Sequence, residues 1–192
     1  MNRFFVVGAA LVSLHAHATT LVALDVETMA KASDAIVQGT VESVEPKAVA
    51  GGSRIVTQVT VKVSQTWKGS VPARIVVTQP GGVVGNIGQH VSGVATFEVG
   101  EEVVAFLEAR GANYIVTGMV QGKYRVERSP DGKSAGVTRA AEADALLIDP
   151  ATRAPVAFAP TSLPLADLRA VVFKALAVPA PVPTEKPSLK VP

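Results

Sequence analysis

Side chains suited to chemistry are thinly spread along this sequence. His90 and Ser92 stand two residues apart, the nearest approach to a base beside a nucleophile. No G-x-S-x-G turn surrounds Ser92, so no strained strand-to-helix corner would present its hydroxyl. A zinc ion on His90 would need carboxylates such as Glu98 or Glu101 as co-ligands, because the chain contains no cysteine. Their spacing matches no metal-ligand pattern. Glu101 and Glu102 are adjacent, and adjacent strand residues point to opposite faces, so they read as a polar turn opening a strand and not as an acid–base pair. No catalytic set, metal site or cofactor is expected.

Residues 79–93, QPGGVVGNIGQHVSG, look at first like a phosphate cradle. They have neither a G-K-[ST] ending nor G-x-G-x-x-G between a strand and a helix. Their glycines suit tight turns and close packing. Long glycine-rich connections often carry function in β proteins, so Gly82, Gly85, Asn86, Gly88 and His90 are the candidate partner-binding residues of this loop. Lys123-Tyr124-Arg125 with Arg128 would supply an aromatic and cations for a single strand of nucleic acid. On a strand, however, Tyr124 and Val126 face away from Arg125, which describes a half-exposed strand, and no nucleic-acid partner is expected.

Composition narrows the classes. Residues 1–18 carry an N-terminal Arg3, an apolar run from Phe4 to Leu14 and the A-x-A site Ala16-His17-Ala18. This is a secretory signal peptide, too short in its apolar part to cross a bilayer. Cleavage after Ala18 leaves Thr19 as the mature terminus, and a secreted or periplasmic protein without an integral membrane segment. Of the 192 residues, 18 are Lys or Arg and 16 are Asp or Glu; losing Arg3 leaves 17 and a net charge of +1. So even a balance predicts neither polyanion binding nor strong steering. With no cysteine, an exported fold must be held by its core alone.

The elements that must position these residues start from residues 54–69, RIVTQVTVKVSQTWKG. Its period of two in β-branched residues predicts a long strand. Val59, Val61, Val63 and Trp67 fall on its inward face, with Lys62 and Ser64 outward. Such a strand would bend, serve two parts of a curled sheet and close the bottom of a barrel with Trp67. Residues 21–33 read as a helix capped by Asp25, and residues 35–44 as a strand with a bulge at Gly39. Residues 45–53 read as a turn, 74–78 as a strand completing an antiparallel meander, and 95–97 as a brief strand. Further strands fall at 102–108, 114–118 and 123–127, with an edge strand at 134–137 after the Pro130-Asp131-Gly132 turn. Residues 139–148 read as helical, and residues 164–177 as a better helix with Leu165, Leu168, Val172 and Leu176 on one stripe and Ser162 as cap.

The expected architecture is mainly β: a small closed antiparallel barrel of the oligonucleotide/oligosaccharide-binding type over residues 19–137, with a short N-terminal helix. A helical extension follows over 138–178, then a proline-rich tail over 179–192 that reads as disordered.

Three motifs carry a resemblance. Ser33-Asp34-Ala35-Ile36-Val37-Gln38-Gly39-Thr40-Val41, the long strand ending Trp67-Lys68-Gly69, and Val99-Gly100-Glu101-Glu102-Val103-Val104-Ala105-Phe106 together resemble the netrin-like module. That is the barrel shared by complement C-terminal domains and tissue inhibitors of metalloproteinases, and the likeness covers about residues 19–128. It implies an exported, non-enzymatic binding module for a protein or glycan partner. The inhibitor branch further implies that Thr19, Thr20 and the residues after them enter the cleft of a secreted metalloprotease. In that family cysteines staple the N-terminal segment and an N-terminal Cys chelates zinc. This cysteine-free variant has only an amine and a carbonyl to offer. A structural component of an envelope or surface assembly is the third functional class.

Overall fold

The computed structural model describes residues 19–139, 145–157 and 161–177. The signal-peptide reading and the proline-rich tail lie outside the described residues. In chain order the elements begin with β1 (Thr19–Val22), α1 (Val26–Ala32), β2 (Ala35–Val49) and β3 (Arg54–Lys68). Next come β4 (Arg74–Pro80), β5 (Gly82–Val84), β6 (Ile87–Gln89), β7 (Glu102–Arg110) and β8 (Asn113–Val116). The chain continues through β9 (Lys123–Arg128), β10 (Ala135–Arg139), β11 (Ala145–Ile148), β12 (Pro155–Val156), β13 (Thr161–Pro164) and α2 (Leu165–Ala177).

The fold is mainly β, and its centre is a ring of pairings. β2, β3 and β4 form the expected antiparallel meander, and β7 pairs antiparallel with β2. β8 closes the circuit, antiparallel to β7 and parallel to β4 at Val77 and Tyr114. β7 is the strand that serves two parts of the sheet. Past its pairing with β2, residues 102–105 bind β9 on the other side, and residues 107–110 bind β8. The sequence reading gave this role to β3, which instead pairs with β2 along its whole length.

Two apolar layers follow from this topology. One fills the ring and includes Val37, Val41, Val59, Val61, Ile75, Val77, Val103, Ala105, Leu107 and Val116. The other lies between the sheet's outer face and the two helices, with Met29, Ile36, Phe106, Tyr124, Val137, Leu168 and Val172. Alternation along β7 feeds both: Val103, Ala105 and Leu107 point into the ring, and Val104 and Phe106 point to the helices. A strand covered on both faces reads as an unbroken apolar run, as Val103 to Leu107 does. Val59 and Val61 face inward and Lys62 is exposed, as the alternation predicts. Trp67, expected to plug the ring, packs in the helix layer instead, because two register shifts against β2, at Gln38/Gly39 and Ile36/Val37, break the alternation between Val63 and Trp67.

Gly39 sits at a register shift between β2 and β3. A Cβ there would come within 2.5 Å of the Lys62 carbonyl oxygen, so the strands can cross this closely only at glycine.

Several local readings are corrected. The helix expected over 21–33 starts only at Val26, with Asp25 capping it by accepting from Thr28 N–H at 2.7 Å. Before it, β1 pairs parallel with β11. Residues 145–148, expected to be helical, form that strand; residues 140–144 lie outside the described residues. The turn expected over 45–53 is mostly strand, since β2 continues to Val49. Residues 95–97 form no strand. β10 is not an edge, because β9 and β13 pair on its two sides. Ser162 therefore lies in a ladder opposite Thr138 and does not cap α2. No described helix is long and apolar enough to cross a membrane.

Candidate functional site

The far end of β3 and β4 builds a cleft of about 390 Å³ at one mouth of the ring. Pairing sets its floor: Val59 lies opposite both Val44 and Val77, and one step outward Thr57 lies opposite both Pro46 and Gln79. The connection from β4 to β7 roofs it with Gly81, Gly82, Val83, Gln89, His90, Val91, Ala95 and Phe97. Most of these residues are apolar. Among the described lining residues none is Asp, Glu, Lys or Arg.

The roof is tied down along its length. Gly81 N–H donates to the Ile55 carbonyl at 2.8 Å, and the Thr57 hydroxyl donates to the Gly81 carbonyl at 2.8 Å. Gln89 Oε1 accepts from Ile55 N–H at 2.7 Å. Gly82 makes this approach possible, since a Cβ on it would meet Thr57 Oγ1 at 2.5 Å. At the far end Glu101, nearly buried, accepts from Glu98 N–H at 3.0 Å and from Lys123 Nζ at 3.0 Å, with Arg125 at 3.1 Å. Arg125 also binds Glu98 at 2.7 Å, and this bond above all holds its pKa above the ordinary value. Lys123 Nζ stands 5.3 Å from the centre of the Phe97 ring, which links the ion cluster to the cleft wall. The turn expected at Glu101 is thus the anchor of a largely pre-formed site.

Each candidate residue of the loop now has a place. Gly82 and His90 line the cleft. Gly85 and Asn86 form the two-residue turn of the hairpin β5–β6, with Gly85 at φ 62° as a primed turn requires. Gly88 pairs with Val83 within that hairpin. The hairpin corrects the reading of this stretch as a loop throughout, and it carries Val83 and Ile87 into solvent, 64% and 62% exposed. Thr19 and Thr20 lie apart from the lining, on β1. Their neighbour Leu21 packs on Gly93, which does line the cleft.

Sequence reasoning missed Gln79. It is 6% exposed, lines the cleft, and its amide Nε2 has no hydrogen-bond partner among the described residues. The signal was in the strand: Ile75, Val77 and Gln79 alternate onto the inward face, so a polar side chain occupies a core register. Ser92 does not line the cleft beside His90. Tyr124, 1% exposed and 5.9 Å from the Phe106 ring, offers no face to a nucleic-acid base. No group of three or more His, Asp or Glu is placed to hold a metal among the described residues.

Ring and cleft together define a mainly β chain with one face sealed by helices and one mouth open. Neither a scan against protein-family models nor a search of curated proteins finds a match for this chain.

Proposed function

We propose that this protein is an exported, non-enzymatic binding module that receives an apolar segment of a protein partner in the cleft beside the β5–β6 hairpin. The observation that carries this reading is the cleft itself: mostly apolar, without a charged lining residue among the described residues, roofed by an anchored loop and continued outward by Val83 and Ile87. Exposed apolar surface next to a concave apolar site is the usual mark of a docking site. The ring's antiparallel meander and its one parallel closure, β4 with β8, support a closed barrel of the oligonucleotide/oligosaccharide-binding type. The netrin-like reading is compatible with that order.

A photo-crosslinking residue at Val83, compared with one at the exposed Phe173 on α2, tests the reading in native exported fractions. Discrete adducts from position 83 alone are expected. Absence of adducts at 83, or the same adducts from 173, would remove the cleft from consideration.

The inhibitor reading is favoured by one observation. The N-terminal segment is pre-organised without disulfides: β1 pairs with β11, and Gln121 accepts from Leu24 N–H at 2.8 Å while donating to the Val22 carbonyl at 2.9 Å. That clasp does the work of the family's covalent staples. Protein with Thr19 as its free terminus should inhibit a member of a secreted metalloprotease panel, and one extra residue before Thr19 should abolish the effect. A panel without inhibition ends this reading.

A further inference from the structure

Resting on the docking reading for the exposed Val83 and Ile87, we infer that the partner covering them is a second copy of this chain. The outer edges of two β6 strands pair antiparallel about a two-fold axis and join both hairpins into one four-stranded sheet. Two independent observations meet here. First, β6 is an unprotected edge. β5 and β6 pair with each other and with no other described strand, and all three residues of β6 are exposed. A two-stranded ribbon is marginal in water and gains from further strands. The two-residue turn makes Val84 and Ile87 the hydrogen-bonded pair, so Gly88 turns its N–H and carbonyl to the open side. Solvent-facing edges are ordinarily blunted by charge, proline or a bulge. The outer strands β12 and β13 carry Pro155 and Pro164. Ile87-Gly88-Gln89 has neither proline nor charge, and its pairing with β5 runs without a register shift.

Second, the charge pattern suits self-association. Asp, Glu, Lys and Arg make up 18% of the chain, yet none falls between Ile75 and Phe97, a stretch that contains the whole hairpin. About a two-fold axis a patch meets its own copy, so a charge near the axis faces the same charge and is repelled. The hairpin brings no such charge. Centring the pairing on Gly88 places Ile87 opposite Gln89 of the second copy. The two Ile87 side chains then become diagonal neighbours on one face, within reach of each other. Glycine at the centre leaves the two backbones free to approach. The apolar surface of Ile87 leaves water against its own copy, which is the favourable term in the association.

The test is sedimentation equilibrium of the chain beginning at Thr19, from about 1 µM to about 1 mM, the range of a small interface. The parent mass should rise towards twice that of the monomer. Ile87→Lys and Ile87→Glu each set like charges against each other and should raise the half-association concentration at least tenfold. Their melting temperatures at low concentration should stay within about 2 °C of the parent, since residue 87 is exposed. Mixing the two variants pairs opposite charges and should restore association. Amide exchange of Gly88 should slow at least fivefold with rising concentration, while that of Gly85 in the turn stays unchanged. A chain that remains monomeric throughout overturns the second copy and leaves the docking surface to a foreign partner, which the adducts at position 83 test separately. Association that both Ile87 variants leave intact, or a Gly88 amide indifferent to concentration, places the interface elsewhere and overturns the pairing of β6 edges. Failure of the mixed variants to associate overturns the two-fold arrangement.

Discussion

The two faces of β7 lead into apolar layers with different fates. Phe106 and Val104 enter a layer roofed by α1 and α2, where Met29, Leu168 and Val172 are fully buried. Val103, Ala105 and Leu107 enter the ring, whose layer runs up to Val59 and Ala95 and there meets the cleft. Helices cover a sheet continuously because an amphipathic stripe runs their whole length. A loop covers it only where its own hydrogen bonds allow, and here they pin the roof at Gly81 and Gln89 beside Ile55 and Thr57. The helix layer spends its apolar surface on stability. The ring keeps some of its surface at the mouth, in the lining of the cleft.

The sharpest way to break this contrast is in the helix layer. Phe106→Ala should cost about 3–5 kcal/mol, since the site is sealed and its ring contact with Tyr124 is lost. A loss under about 1.5 kcal/mol in chemical denaturation would mean that the layer collapses easily and is not close-packed. Within the ring, two valines on the same face of one strand sharpen the comparison. Val61→Ala, in the sealed part, should cost about 1–3 kcal/mol. Val59→Ala, at the cleft floor, should cost about half as much, because the new space joins a cleft already open to water. Equal losses would mean that the cleft is filled in solution. Lys62→Ala, on the outer face next to Val61, should cost less than about 0.5 kcal/mol.

Two further effects belong to the margins of the layers. Asp25→Ala should cost about 1 kcal/mol by uncapping α1, which holds Met29 over the helix layer. A pH-dependent effect concerns Glu102, the first residue of β7. Its carboxylate is held below the ordinary range chiefly by hydrogen bonds from Arg128, both at 2.7 Å, assisted by Gln38. A pKa depressed in the folded state stabilises above the unfolded value of about 4.3 and is lost as pH falls through the lower folded value. Stability from this group should be flat between about pH 8 and 5 and should decline below about pH 4. Because Arg128 is half exposed, the contribution should stay under about 1 kcal/mol. Urea midpoints at pH 7, 5 and 3 check it: a Glu102→Gln variant as acid-sensitive as the parent would assign the acid limb elsewhere.

Strands long enough to alternate were legible. The register of β3 followed from Val59, Val61 and Lys62, and the bulge at Gly39 followed from a glycine amid β-branched residues. Asp25 was legible as a cap because the capping interaction is local. What failed was short or non-local. β1 is four residues whose pairing with β11 depends on chain more than a hundred residues away, about the separation at which pattern reading has nothing to use. Ala145–Ile148 read as helix because a short apolar run cannot distinguish helix from strand without its partner. The hairpin β5–β6 stands mostly in solvent, so it shows no apolar alternation. The glycine loop was chosen as the functional region, and it does line the cleft. The floor of that cleft comes from three strands brought together only by register, which left Gln79 unnoticed.

The parallel pairing of β1 with β11 also sets a clock on synthesis. As the chain leaves the ribosome, Thr19–Val22 must remain without its strand partner until Ala145–Ile148 has emerged, about 120 residues later. At roughly 5–20 residues per second that is a wait of roughly 10 s. The Gln121 clasp on Val22 and Leu24 becomes available sooner than the strand does. It can therefore serve as a temporary tether, keeping a nascent unpaired edge beside the ring it will join and away from the edges of neighbouring chains.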